Sequence, residues 1–442
     1  FAAKMSNPTN TLRANQALRE PDRKQFIAAM EAEVMAHHNN HHWKVVPKSA
    51  VPYGSKILPC VWAMKRKRRI ASREVYKWKA RLNLHGGKQE YGVNYWETYA
   101  ATLSWPPIRF MLILSLMHGW STRQIDFTLA YPQADVECDL YMEIPHDFNM
   151  PEGGRSDHCL KILKNIYGQK QAGRTWSKHL TKGLLSIGFV QSEADECIYY
   201  RGMTVFMVYV DDGIFISPVA CLIDECIELM KAIFNLMDER DISDYLGIKV
   251  SRSEDATTIS LTQPHLIASI ADDIGFTNKT KSKGVPASPS VILQRDLTGE
   301  DFAEHWSYRS IIGKLNFLEK STRPDIAYAV HQCARFSANP KASHATAVRN
   351  IVCYLIGTPA QGIVLQPNEH SFVVWADADF CGNWNRDTNM SDMMTAKSRS
   401  GYAITYASCP VLWASKLQTK VALSTTEAEY VSLSQSDRKS TR

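Results

Sequence analysis

The sequence predicts an α+β fold, and three observations predict it. β-favouring runs are joined by short turns at 57–84 and at 197–217. Helical periodicity fills 303–358, and from 371 the pattern switches to three strand-like segments followed by a helix. With 442 residues the chain is long enough for two or three domains, and its 45% hydrophobic and 22% charged content is that of an ordinary globular protein.

The elements follow in order. "DRKQFIAAMEAEVMA" (22–36) forms an amphipathic helix with Phe26, Ile27, Met30 and Val34 on one face and Asp22 placed to cap it. Strands at 57–70 and 75–84 form a basic hairpin. Pro106-Pro107 opens a helix that runs to about 118 and stops at Gly119. "STRQIDFTLAYPQ" (121–133) is a strand with Asp126 at its exit, followed by a turn. Residues 171–187 are helical, 197–210 and 214–217 form a hairpin, 221–236 form another helix, and "DYLGIKV" (244–250) is a short strand. "TNKTKSKGVPASPS" (277–290) is the best linker candidate. The closing segments "SFVVWADADF", "GYAITYA" and "VLWASK" are strands, and "STTEAEYVSLSQ" is a helix with a Ser/Thr cap.

The net charge of +6 is unevenly spread. Residues 62–88 hold Lys65, Arg66, Lys67, Arg68, Arg69, Arg73, Lys77, Lys79, Arg81 and Lys88 against the single acid Glu74, with Trp62, Tyr76 and Trp78 interleaved. Cations mixed with aromatics suit a polyanion; a solvated strand face is the plainer alternative. The ten cysteines show no CxxC pair, which points to reduced thiols rather than a disulfide framework or a zinc site. "HHNNHH" (37–42) has no carboxylate or cysteine at ligand spacing and reads as a polar loop. The longest apolar run, "FMLILSLM" (110–117), is too short to span a bilayer and reads as a buried helix. "FAAKMSNPTN" resembles no signal peptide and lacks an initiator Met, so the chain is expected to be an excerpt.

The stretch "TVFMVYVDDGIFIS" (204–217) sets two carboxylates between two apolar runs. Asp212-Gly213 could serve as the hairpin turn alone. Paired acids from this tip and Asp126 from another strand end would instead supply oxygen ligands to hard cations, as nucleotidyl transfer requires at its attacking and leaving oxygens. Clustered carboxylates on a buried sheet repel each other unless cations lie between them.

"YVDD" (209–212) resembles the signature of reverse transcriptases, and the motif order around it strengthens the resemblance. "YKWKARL" (76–82) resembles the fingers strand, "QIDFTLAY" (124–131) the first-aspartate motif, "IYGQKQAGRTW" (166–176) the template–nucleotide motif and "DYLGIKV" the primer grip. "YRSIIGKLNFLEKSTRPDIAYAV" (308–330) and "SRSGYAITYASCPVLWASKLQTKVALSTTEAEY" (398–430) resemble the Ty1/copia class of LTR retrotransposon Pol polyproteins.

The resemblance implies a right-hand polymerase fingers and palm, a helical thumb-like connection and a truncated ribonuclease H-like α/β module. It implies an RNA-directed DNA polymerase with Asp126, Asp211 and Asp212 as catalytic, metal-holding residues, two Mg²⁺ ions (or Mn²⁺ as a substitute), and RNA template, DNA primer or RNA–DNA hybrid, and dNTPs as partners. Arg81 and Lys79 match residues that grip the triphosphate, Tyr131 the steric gate and Gln171 the residue bracing sugar and templating base. Gly168 and Gly173 let backbone approach there, although relatives often carry proline at the Gly173 position. Tyr245, Leu246 and Gly247 match the primer grip.

The C-terminal segment resembles the start of ribonuclease H, with Asp377 and Glu429 as a partial site and Asp379 and Glu427 as close decoys. A further aspartate is expected beyond the helix, and Asp437 sits on that same helix, so the nuclease is expected to be incomplete. The expected divisions are 1–40, a lead and helix; 41–276, fingers and palm; 277–367, linker and connection; and 368–442, partial ribonuclease H. No membrane partner is expected, and the implied location is intracellular, in a virus-like particle or the nucleus. The competing reading is a degenerate element product that at most binds nucleic acid.

Overall fold

The computed structural model describes residues 11–68, 74–145, 154–277, 279–288, 292–385 and 392–440. Arg69, Arg73, the first ten residues and part of the 277–290 segment lie outside them. The chain divides into two compact units. One holds the described residues up to 103 together with 123–240; the other holds 104–122 together with the described residues from 241 onward.

In the first unit, Cys60–Arg68 pairs antiparallel with Val75–Leu84, setting Lys65 opposite Lys79 and Met64 opposite Ala80. Side chains alternate across a strand, so the hairpin has two unlike faces. Its inner face packs Met64 and Ala80 against Phe26 and Met30 of the helix Arg23–Asn39. Asp22 occupies the N-cap position but makes no side-chain cap bond. Its carboxylate accepts hydrogen bonds from Arg66 Nε (2.7 Å), Arg66 Nη2 (2.6 Å) and Trp78 Nε1 (2.5 Å), joining the helix start to the hairpin. The Arg66 guanidinium, helped by Trp78, holds the Asp22 carboxyl down at about 2. A depressed folded pKa stabilises the fold above the ordinary carboxylate range and loses that contribution as the carboxyl protonates. Thermal midpoints of the wild type should therefore fall more steeply than those of Asp22→Asn as pH drops from about 4 to about 2; parallel curves would refute the link.

The histidine tract is not a polar loop. His37 and His38 end the helix, and His37 and His42 are buried with their Nδ1 atoms 2.8 Å apart. The His37 ring stacks on Trp43 with centroids 5.1 Å apart. This tertiary contact overrides the local polarity of the segment, and burial pushes His42 down to about 4.

A six-stranded sheet has the order 236–240, 121–127, 212–217, 204–209, 198–201, 190–191. Two sequence expectations fail here. The run 197–210 is two strands, Ile198–Arg201 and Thr204–Tyr209, broken at Gly202 with φ of 58°. The helix expected to 236 ends at Lys231, and Leu236–Arg240 forms the sheet edge, with Met237 opposite Asp126. The helices Ala172–Ser186 and Ala220–Lys231 contribute Trp176, Leu180, Ile223 and Ile227 to a core that holds Phe127, Phe206 and Phe215. A separate four-stranded sheet joins 43–47, 158–164, 135–142 and 57–58, so Ile57–Leu58 is not part of the basic hairpin.

The second unit begins with Trp105–His118, which stops as expected at a left-handed Gly119 (φ 65°). "FMLILSLM" lies inside this helix, which buries Ile108, Leu112 and Ile113. The helices Pro264–Asp273, Tyr308–Ser321, Ala327–Ala334 and Ala342–Gly357 share one core. "DYLGIKV" is a tight hairpin rather than one strand: Tyr245 opposes Ile248 across Leu246 and Gly247, at φ 51° and 77°. The C-terminal strands Phe372–Asp379, Arg399–Tyr406 and Cys409–Leu417 form an antiparallel sheet. The helix Thr425–Ser440 is tied to it by the Ser432 hydroxyl, which donates to the carbonyls of Asp377 (2.7 Å) and Gly401 (3.2 Å). Among the described residues no helix is long and apolar enough to cross a membrane.

Candidate active site

Tyr209 pairs with Asp212, so the two turn residues of the hairpin are Val210 and Asp211. Asp212 and Gly213 lie in the second strand, and the Asp-Gly turn offered by local sequence does not form. Val210 has φ of 59°, a left-handed conformation that is strained for a β-branched residue. Two bonds hold it. Trp176 Nε1 donates to the Val210 carbonyl (2.6 Å), and the Phe127 amide donates to the Asp211 carbonyl (2.8 Å). The second bond ties the residue after Asp126 to the hairpin tip, bringing strand exit and tip together.

Asp126 and Asp212 both feel the charge of Asp211. Burial, then the charge of Asp211, pushes the Asp126 carboxyl up, while Lys79 and Lys67 pull it down. Burial pushes Asp212 up to about 7, with further contributions from Asp211, Asp126 and Glu239. Such a cluster resists full ionisation until positive charge arrives. The donors are all carboxylate oxygens, which suits a hard divalent cation. Among the described residues no three His, Cys, Asp or Glu side chains are already gathered at metal-ligand geometry.

The outer face of the basic hairpin carries Lys65, Lys67, Lys77, Lys79 and Arg81, with Lys65 opposite Lys79 and Lys67 opposite Lys77. Like charges directly opposed across strands are destabilising, so this face is suited to an anionic partner. Arg66 has turned to the inner face and is consumed by Asp22 and Glu20. Burial, then Arg81 and Lys67, pushes Lys79 down to about 8. The Arg81 guanidinium lies 3.7 Å from the Tyr167 ring centroid, and Tyr167 lies 5.1 Å from Tyr131. Burial and then Asp211 push the Tyr131 hydroxyl up, which places that ring within the field of the acids.

Gly168 (φ 90°) is required where it stands: a Cβ would sit 2.2 Å from the Leu84 carbonyl oxygen. The Leu84 amide donates to the Tyr167 carbonyl (2.9 Å), fixing Tyr167 to the basic hairpin. Gly173 is less constrained, since a Cβ would make only ordinary contacts, at 3.7 Å to Ala100 and 3.9 Å to the Tyr131 hydroxyl. Gln171 is buried and accepts a hydrogen bond from Gln89 Nε2 (3.0 Å). Tyr167, Trp176 and Phe127 were not singled out from sequence. Their roles depend on a ring stack and on bonds to the turn carbonyls, and only the adjacency of Tyr167 and Trp176 to Gln171 hinted at them.

In the second unit Tyr245 is wholly buried, its ring 6.2 Å from that of Trp105, while Gly247 is exposed at the hairpin tip. Asp377 and Glu429 are exposed, and Glu429 lies one turn before the Ser432 that binds the Asp377 carbonyl. The decoys have structural occupations. Asp379 accepts the Gly382 amide (2.6 Å), and Glu427 accepts the Leu423 amide (2.7 Å) while its own amide donates to Ser424 Oγ (3.1 Å).

Residues 40–289 match the family described as reverse transcriptase (RNA-dependent DNA polymerase). The chain is 33% identical over 95% of its length to the Retrovirus-related Pol polyprotein from transposon RE1 of Arabidopsis thaliana, covering 28% of that protein. It is 28% identical over 96% of its length to the corresponding polyprotein from transposon TNT 1-94 of Nicotiana tabacum, covering 31% of it. A solved foamy viral protease–reverse transcriptase in complex with double-stranded DNA is similar over 93% of this chain and 60% of that one, at 12% identity and a TM-score of 0.48. The chain thus spans less than a third of the length of these curated relatives. By sequence it belongs to the reverse transcriptase (RNA-dependent DNA polymerase) family, in the branch of Ty1/copia-type Pol polyproteins.

Proposed function

We propose that this chain is an RNA-directed DNA polymerase. The observation that carries this reading is the Phe127–Asp211 backbone bond, which joins the strand bearing Asp126 to the tip bearing Asp211 and Asp212, while Asp126 also feels the cationic face through Lys79 and Lys67. The primer 3′-OH attacks the α-phosphate of a dNTP, a new P–O bond forms, and pyrophosphate leaves. Asp126 and Asp211, with Asp212 in support, would hold two Mg²⁺ ions, which would supply charge neutralisation to the transferring phosphoryl group. Arg81 and Lys79 bind triphosphate oxygens, with the Arg81 fork oriented by its stack on Tyr167. Template RNA and the RNA–DNA hybrid run along the outer face of the basic hairpin.

Tyr131 is the sugar gate in this scheme, its ring backed by Tyr167 and filling the space of a ribose 2′-OH. Tyr131→Ala should raise rNTP use relative to dNTP by at least about tenfold; unchanged sugar discrimination would make Tyr131 a packing residue. In this reading residues 41–276 are fingers and palm, and Tyr245, Leu246 and Gly247 are the primer grip. Residues 277–367 are the linker and thumb-like connection, and 368–442 a ribonuclease H-like part in which Asp377 and Glu429 would be the site acids, since Asp379 and Glu427 serve a turn and a cap. Primer extension on poly(rA)/oligo(dT) with Mg²⁺ tests the whole proposal. Template-dependent dTTP incorporation is expected, and its absence from folded protein that still binds the hybrid would favour the binding-only alternative.

A further inference from the structure

Residues 89–104 form a long irregular segment between a short 3-10 turn and the helix at Trp105. Structureless loops of this length in compact domains are usually functional. Within it Tyr91, Trp96 and Tyr99 are 74%, 51% and 72% exposed. Three large aromatic side chains held in water over nine residues call for a partner.

Residues 89–95 of this segment are held by hydrogen bonds. The Asn94 side-chain oxygen accepts the Glu90 amide (2.8 Å), and the Gly92 amide donates to the Tyr95 carbonyl (2.9 Å). The buried Asn94 carbonyl accepts from Gln89 Nε2 (3.2 Å) and from Gln171 Nε2 (3.5 Å). The aromatic loop is therefore joined by a buried amide network to Gln171, a residue of the proposed nucleotide site. A cavity of about 170 Å³ opens between Trp96 and Gln171.

The surrounding charge favours an anionic chain. The neighbouring acids are neutralised: Glu90 pairs with Lys56, Glu97 with Arg174, and Glu137 with Arg174 and Lys178. Among the described residues Lys170 has no acidic partner; its ammonium lies 4.2 Å from the Tyr95 ring centroid and bonds the Tyr95 hydroxyl (2.9 Å). Exposed rings beside unneutralised positive charge are the arrangement that binds single-stranded nucleic acid, by stacking on bases and by contact with phosphates.

We propose that the 89–104 loop is a stacking platform for unpaired template bases, with Trp96 and Tyr99 as the stacking rings and the Asn94–Gln171 network setting their position. This rests on the polymerase reading for the identity of the strand, but its test is binding and stands apart from catalysis. The probe is an oligo(dT)–oligo(rA) hybrid, either blunt or with a single-stranded 5′ template extension of about six nucleotides.

The extension should tighten binding by wild type. Trp96→Ala should remove about tenfold of that gain while leaving blunt-hybrid binding unchanged, and Trp96→Phe, which keeps a ring, should retain most of it. Equal loss on both probes, or no loss on either, would overturn the platform. So would concentration-dependent self-association abolished by Trp96→Ala with template binding intact, because the rings would then serve a second copy. Extension-dependent binding without any dTTP incorporation would sink the polymerase reading and leave the platform standing. Normal incorporation with binding indifferent to Trp96 would do the reverse.

Discussion

Asp211→Asn is expected to lower dTTP incorporation on poly(rA)/oligo(dT) by about 10³-fold or more, because the carboxylate supports metal-borne stabilisation worth several kcal/mol and each 1.36 kcal/mol is a factor of ten. The substitution is close to isosteric, and the Asp211 carbonyl that accepts the Phe127 amide is untouched, so the hairpin tip should keep its place. Binding of the hybrid, measured by fluorescence anisotropy, should be unchanged, since the cationic strand face lies on other residues. Stability should rise. The Asp211 charge pushes both Asp126 and Asp212 up, and removing it relieves that repulsion in the folded state, a trade between function and stability usual for clustered catalytic acids. A variant that is less active, still binds and melts higher fits a metal-holding carboxylate. Incorporation within about tenfold of wild type would exclude Asp211 from the chemistry, and a lower melting point would mean that the residue serves the fold.

Much of the fold is legible in the sequence, and the reasons are local. Pro106-Pro107 and Gly119 bracket a helix because proline fits a first turn and glycine a left-handed cap, and the helix spans Trp105–His118. The basic hairpin followed from two β-favouring runs, although its first strand starts at Cys60 rather than at 57. Elements were lost where long-range packing outweighs local pattern. "LMDER" (236–240) carries three charges in five residues and looks like solvated chain, yet it closes the edge of the sheet beside Asp126. Asp22 sits where a cap belongs but is drawn instead to Arg66, 44 residues away. The break at Gly202 hides in a run of strand-forming residues, because the flanking Arg201 and Thr204 pair across a two-residue turn that composition alone does not announce. The acid residues were visible as a motif. What brings them together, a Trp176 indole and a Phe127 amide on the turn carbonyls, is tertiary and was not.

Gly213 gives the second large effect, and for a reason unrelated to turns. It lies in the strand, opposite Val208. A Cβ there would lie 2.6 Å from Phe206 Cε2 and 2.9 Å from Ile125 Cγ1. Both neighbours are fully buried, and Phe206 is stacked on Phe215 with centroids 4.5 Å apart, so neither ring nor isoleucine has free space to enter. The missing side chain therefore lets the strand carrying Asp126 approach the one that begins at Asp212. Gly213→Ala should destabilise the protein by about 1–3 kcal/mol through overpacking. It should also reduce incorporation by about 10²-fold, because a displacement of roughly 1 Å between catalytic groups costs that much. The paired control is Gly173→Ala, where a Cβ meets only ordinary contacts in the first turn of a helix. There a gain of about 0.4–1 kcal/mol is expected. If both substitutions behave alike in thermal unfolding, close approach at Gly213 is not what sets the two strands; if Gly213→Ala alone loses stability and turnover together, the spacing of Asp126 from the hairpin tip is held by an absent side chain.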